Sequence, residues 1–383
     1  MLPLSAVKVV EFCQVLAGPY CGMLLADMGA EVIKIEPPEG DMMRQWPPIS
    51  EGFSENFASI NRNKRSVVLD LKNPGHKAAA RRLVLSADVL IENNRPGVMD
   101  RLGLGYDSFR AEKPDLIYCS LSAFGQSGPR AGEGGFDVTV QAASGIMSVT
   151  GETGGAPVKS GVPVSDVATG LYAAFAIASM LRRVAGGGEG AHIDVSMLGA
   201  SLGIAALQTS EYFGTGRNPR KLGSAHPRNA PYQAFRASDG HFVIAAGNDK
   251  LWERVAEVVG RSDLLTDPRF KTTLLRAEHQ TALKDLLEVA FAGQPVDHWI
   301  AAFEKAGVPH SRINGYSEIL ADPQVVHMEW VQDLVLPSGV HTRTFGSPVR
   351  FSGQPIEIRR PPPALGADTE AVLGGLSLPE AAE

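Results

Sequence analysis

The chain has 383 residues, 44% of them apolar and 20% charged, proportions that suit a soluble globular protein long enough for two domains. Lys+Arg of 36 against Asp+Glu of 42 leaves a net charge of −6, which disfavours nucleic acid or an anionic membrane as the main partner. A local basic pocket for a phosphate-bearing ligand is compatible with that balance. Three cysteines (Cys13, Cys21, Cys119), odd in number and without a C-x-x-C, point to a reduced, cytoplasmic setting rather than a disulfide framework.

The opening residues read as one βαβ unit: VKVVEF at 7–12, an apolar helix-like segment through ADMG, then AEVIKIEPP at 30–38. A strand that starts by Val7 leaves no room for a signal peptide. Glu36, closing the second strand, invites a dinucleotide reading, but Gly18, Gly22 and Gly29 do not form G-x-G-x-x-G. Further strands are predicted at 66–71, 87–91 and 115–121, with a helix at 76–85 between them. Alternating strands and helices argue for a doubly wound, mostly parallel sheet. Cys119, inside the third of these runs, reads as a buried, inert thiol. Glycine punctuation from Phe124 to Gly161 reads as mobile loops, and 161–183 as a loop entering a long buried helix. The longest apolar run, Val167–Leu181, is too short and too rich in small residues for a membrane span.

A second helix is predicted near 196–213, then a basic linker around Arg217–Arg228. The stretch 232–247 reads as a β-hairpin turning at Ser238-Asp239-Gly240, followed by helices at 250–260, 276–292 and 295–306. A β-rich stretch at 343–359, a triple proline, a short helix and the tail LPEAAE end the chain. The expected division is a large domain over 1–215, a small domain with linkers over 216–325, and a return to the large domain over 326–383.

No P-loop, G-x-S-x-G elbow or H-E-x-x-H occurs, and the nine histidines show no metal-ligand spacing. An enzyme built on this chain is expected to work without ATP, a metal or a serine triad. Ser165-Asp166 precedes the long apolar helix, where an aspartate on pattern alone is a cap. For Arg62, Lys64, Arg65 and Lys72 the pattern leaves two readings equally open, a solvated face or contacts to a phosphate-bearing ligand.

Several segments together resemble the class III CoA-transferase family, which also contains racemases of branched acyl-CoAs. They are EFCQVLAGPYCGMLLADMGAEVIKIEPPEGD (11–41), NRNKRSVVLDLKNPG (61–75), VLIENNRPGVMDRLGLGYD (89–107), SAFGQSGP (122–129), GFDVTVQAASGIMSVTG (135–151), PVSDVATGLYAA (163–174) and GRNPRKLGSAHPRNAPYQAF (216–235). The resemblance implies an α/β fold with a Rossmann-like, doubly wound large domain, a smaller α+β domain and an interlocked homodimer. It makes Asp166 the nucleophile, passing through an aspartyl anhydride and an aspartyl-CoA thioester, with CoA as substrate and no further cofactor. It assigns CoA contacts to Gln14, Val15, Ala17, Leu69, Lys72, Asn93, Asn94, Arg101 and Asp137.

The sequence departs from its relatives at Pro37, where some carry arginine, and lacks the glycine run of oxalate-using relatives. The racemase histidine is replaced by Phe136, and the matching stretch for the racemase glutamate reads Ala246-Gly247-Asn248-Asp249. The segments GSAHPRNAPYQAF and AAGND look most like the branch that moves CoA between dicarboxylates such as succinate and glutarate. His226 and Arg228 are the candidates for a distal carboxylate. An acyl-CoA racemase and a non-catalytic CoA-binding paralogue are the alternatives.

Overall fold

The computed structural model describes residues 1–375, and the tail LPEAAE lies outside the described residues. The chain divides into two compact units, one of Met1–Ile146, Lys159–Arg217 and the segment from Pro323 on, the other of Met147–Val158 and Asn218–Asp322.

The first unit is built on a six-stranded sheet in which every neighbouring pair is parallel. In chain order the strands are β1 (Lys8–Phe12), β2 (Glu31–Glu36), β3 (Lys64–Val68), β4 (Val89–Glu92), β5 (Ile117–Ser122) and β6 (His192–Ser196). Across the sheet they run β3-β2-β1-β4-β5-β6. The chain therefore winds outward from β1 in one direction and from β4 in the other. That reversal opens a crevice at the carboxyl ends of β1 and β4, where such sheets bind ligands.

Alternation along the strands feeds two hydrophobic layers, so the sheet is covered on both faces. Val10, Phe12, Ile33, Ile35, Val67 and Leu90 pack with Ala79, Ala80, Leu83 and Val84 of α2 (Pro74–Leu85). Val9, Val32, Val89 and Ile91 pack with Cys21 and Leu25 of α1 (Ala17–Asp27) and with Ala173 and Ile177 of α4 (Val164–Ala185). α1 and α4 approach closely because Gly170 has no side chain: a Cβ there would stand 2.8 Å from the Ala17 carbonyl oxygen. α3 (Asp137–Ala143) precedes α4; α5 (Met197–Ile204) and α6 (Ala206–Thr215) follow β6.

Four readings change. β3 begins at Lys64 rather than at Ser66, because Lys64 is a buried charge rather than a surface one. β6 carries the half-polar sequence HIDVS at the sheet edge and gives no apolar run to read. The predicted helix near 196–213 is two helices meeting at Ala205. The long helix α4 is also not buried all round, since Leu171, Tyr172 and Phe175 are exposed.

In the second unit β7 (Tyr232–Arg236) and β8 (His241–Ala245) form the hairpin, and β9 (His310–Arg312) joins β8 antiparallel. Helices α7 (Asp249–Val258), α8 (Gln280–Phe291) and α9 (Val296–Ala306) cover it with Trp252, Phe291, Trp299 and Phe303. Arg276 is fully buried here and donates to the Ala230 and Phe270 carbonyls and to Asp249. The closing segment returns to the first unit, where Val372 of α10 (Thr369–Gly374) enters the core beside β3 and α2.

Candidate active site

A cleft of about 440 Å³ opens at the carboxyl ends of β1, β4 and β5, over the reversal point of the sheet. The loop after β1 contributes Gln14, Val15, Leu16 and Ala17, and the loop after β4 contributes Asn93, Asn94, Arg95 and Pro96. Residues 121–123 at the end of β5, Glu133–Phe136 with Thr139, Asp166 and Met197 complete the wall.

Asp166 stands in the first turn of α4, whose N-cap is Pro163 with no side-chain cap bond. The capping aspartate is Asp137, whose Oδ1 accepts the Ser165 N–H at 2.9 Å while Oδ2 accepts Gln141 Nε2 at 2.6 Å. Asp137 thus satisfies an amide at the start of α4 and leaves the Asp166 carboxylate without a hydrogen bond or ion pair among the described residues. Burial, then the Asp137 charge, raises the Asp166 pKa to about 7. A carboxylate that is desolvated and unpaired in a cleft is a poised group rather than a structural one.

The loops after β1 and β4 are latched together. Gln14 N–H donates to Asn93 Oδ1 at 2.9 Å and Asn93 Nδ2 returns a bond to the Gln14 carbonyl at 2.8 Å. Asn94 Nδ2 reaches the Phe12 carbonyl at 3.3 Å, and its N–H donates to Glu92. Both asparagines therefore line the cleft while their side chains hold backbone. Glu36 is engaged as well, by Arg44 at 2.7 Å and by the Ser66 hydroxyl at 2.6 Å, so it does not stand ready for a ribose.

Of the residues that the resemblance assigns to CoA, Gln14, Val15, Ala17, Asn93 and Asn94 share the cleft with Asp166. Leu69, Lys72, Arg101 and Asp137 do not line it. The Leu69 side chain is core. Lys72 is exposed in a turn closed by its N–H to Asp70, and Arg101 is exposed at the end of a short helix, 98–101. His226 and Arg228 belong to the second unit. There His226 Nδ1 accepts the N–H groups of Arg228 and Asn229 at 3.2 and 3.1 Å, and its ring packs on Tyr232. Burial and the Arg228 charge lower the His226 pKa, which favours the neutral ring.

The solvated-face reading fails for two of its four cations. Lys64 is fully buried and ion-paired to Glu11, and Arg62 is buried on Asp27. Sequence reasoning missed Arg95, whose guanidinium packs against Gly134 at the cleft, and Phe136 as a wall residue. The signal for Arg95 was present, since it directly follows the two asparagines.

The model of CoA-transferase family III matches residues 4–369. The succinate–glutarate CoA-transferase of Agrobacterium fabrum is 40% identical over 382 residues, covering 98% of this chain and 96% of that protein. The acetyl-CoA:oxalate CoA-transferase of Acetobacter aceti is 40% identical over 382 residues, covering 99% and 97%. The crystal structure of a CAIB/BAIF family protein from Brucella suis superposes with a TM-score of 0.87 at 39% identity, covering 98% of this chain and 100% of that one. A match along almost the whole length, at these identities and with this fold, means that the chain belongs to CoA-transferase family III and is a CoA-transferase.

Proposed function

We propose that the chain moves CoA from an acyl-CoA donor, succinyl-CoA by analogy with its relatives, to a dicarboxylate acceptor, with Asp166 as the nucleophile. The observation that carries this is the unpartnered Asp166 carboxylate in the cleft, freed because Asp137 does the capping. A carboxylate oxygen of Asp166 attacks the thioester carbonyl. The C–S bond breaks, CoA leaves as thiolate, and an aspartyl anhydride remains. The thiolate then attacks the aspartyl carbonyl, releasing the donor acid and leaving an aspartyl-CoA thioester. The acceptor carboxylate runs the same two steps in reverse. One thioester is exchanged for another, which fits the absence of a P-loop.

Gln14, Val15, Ala17, Asn93 and Asn94 are assigned to the reactive end of CoA. Lys72 and Arg101, exposed cations after β3 and β4, are assigned to its phosphates. The far carboxylate of the acceptor is assigned to His226 and Arg228. Phe136 lines the cleft with no titratable group, and Asn248 caps α7 through Leu251 N–H, which leaves racemisation without its acid–base groups. The exposed apolar side chains of α4, α5 and α6 support a homodimer, and three free, buried cysteines support a cytoplasmic setting.

The test is hydroxylamine trapping during incubation with succinyl-CoA, followed by peptide mapping, and a mass-spectrometric screen of acceptor acids. The adduct is expected on Asp166 and CoA exchange is expected to be best with dicarboxylates. An adduct on Asp137 or Glu152 would sink the assignment of the nucleophile.

A further inference from the structure

Beneath the loop that follows β1 lies a closed set of four charges: Glu11 on β1, Lys34 on β2, Lys64 on β3, and Asp41. The side chains of Glu11, Lys34, Lys64 and Asp41 have no solvent exposure. Two cations face two anions, so the set is balanced. Lys34 Nζ contacts Glu11 at 3.1 Å, Asp41 at 2.9 Å and the Cys13 carbonyl at 2.6 Å, which uses its three donors. Lys64 Nζ contacts Glu11 at 2.9 Å, Asn61 Oδ1 at 2.9 Å and the Pro19 carbonyl at 2.7 Å, and is likewise complete. Burial, with the Lys34 charge, holds Lys64 below its ordinary pKa against the opposing pull of Glu11, whereas around Lys34 burial is outweighed by Glu11, Asp41 and Glu36.

The set grips the backbone at three points. Lys34 holds Cys13, Lys64 holds Pro19, and between them the Asp41 carboxylate accepts the Val15 N–H at 3.1 Å. Val15 is the residue that most needs holding. Its φ is +65°, a left-handed conformation that a β-branched side chain does not adopt unaided. Gln14, Val15, Leu16 and Ala17, four of the five residues between the outer grips, line the cleft. Buried ion clusters add little net stability compared with apolar packing, so their retention calls for another account, and fixing one conformation is such an account.

We infer that Asp41, backed by Lys34, Glu11 and Lys64, is a positioning residue that holds Val15 in its left-handed conformation and so presets the floor of the CoA cleft. This rests on the reading of the cleft as the CoA site given above. The set lies under the loop rather than in the cleft wall, so its effect on CoA passes through the backbone of 13–19.

The test is a double-mutant cycle on the full-length protein, read by calorimetric CoA binding and by KM for the acyl-CoA. Asp41→Ala is expected to weaken CoA binding about tenfold, the scale of the left-handed penalty that the carboxylate offsets. The KM should rise with it while kcat changes little. Asp41→Asn keeps an oxygen for the Val15 N–H and is expected to lose only about threefold. In a Val15→Gly background, where glycine takes a positive φ without steric cost, the Asp41→Ala effect is expected to shrink below about twofold. A merely structural Asp41 would show the same loss in both backgrounds, and that result overturns the inference. Unchanged CoA affinity in a folded Asp41→Ala protein overturns it too. If Asp41→Ala does not fold, Asp41→Asn carries the same cycle, and wild-type affinity in it is the overturning result. A wild-type protein that binds no CoA overturns the reading of the cleft and the inference together.

Discussion

At the scale of single residues, the proposed chemistry rests on a division of labour between two aspartates. Asp137 is the cap and Asp166 the poised group, 29 positions later in the chain, and burial, with the Asp137 charge second, raises the pKa of Asp166 to about 7. The proposed anhydride step needs Asp166 ionised. The logarithm of kcat/KM is therefore expected to fall with slope one as pH drops below about 7. Asp137→Asn removes the like charge and keeps a capping oxygen, so the acid limb should move to lower pH. An unmoved limb would mean that the Asp137 charge does not act on the titrating group. The same shift has a stability side. Folded, Asp166 keeps its proton to about pH 7, whereas an unfolded aspartate releases it near about 4. The folded state binds more protons across that window, so its stability falls as pH rises through it. Asp166→Asn should accordingly abolish transfer yet raise Tm at pH 8 by roughly 2–5 °C, with the gain vanishing below about pH 4. A Tm unchanged at pH 8 would show that the carboxylate is well solvated.

At the scale of elements, most of the sheet was legible because five of its strands carry apolar runs. Part of what was not legible shares one cause: a polar residue that the fold treats as interior. Glu11, Lys34 and Lys64 sit in β1, β2 and β3 with their charges mutually satisfied, and a pattern reading trims β3 at the first apolar residue. Asp166 could not be told from a cap by spacing, because the true cap comes from another helix, α3, at long range. The placement of α4 relies on Gly170, one turn beyond Asp166, against α1, whose first residue lines the cleft. In Gly170→Ala the added Cβ meets backbone at 2.8 Å, which the rigid α1 cannot yield without shifting. The variant should lose about 1–3 kcal/mol of stability and at least tenfold in kcat/KM, measured by urea unfolding and initial rates. Wild-type turnover in it would mean that α4 tolerates displacement and that Asp166 is not held by this contact.

At the scale of the whole molecule, the surface of the first unit is unfinished. Leu171, Tyr172 and Phe175 on α4, Leu202 and Ile204 around α5, and Leu207, Tyr212 and Phe213 on α6 are exposed, with Phe175 and Phe213 at 73% and 83%. Single exposed apolar residues are ordinary; a run of them over three consecutive helices is what the homodimer proposed above would bury. This is also why α4 reads in sequence as a buried helix: its apolar residues run round the whole circumference, and the single chain covers only the Ala168, Gly170, Ala173 and Ile177 side. A homodimer covers such a face with a second copy of itself. Phe175→Asp places a charge where that face would be buried, at a position whose side chain supports nothing in its own core. The monomer fold should survive, with an unchanged Tm onset at low concentration, while sedimentation velocity shows a dimer dissociation constant raised at least about tenfold. The substitution at Phe213 should act in the same direction and add to it. A wild-type chain that sediments as a monomer at micromolar concentration would remove the dimer. The exposed face of α4 would then need another partner, although Asp166 at its first turn would keep its cleft.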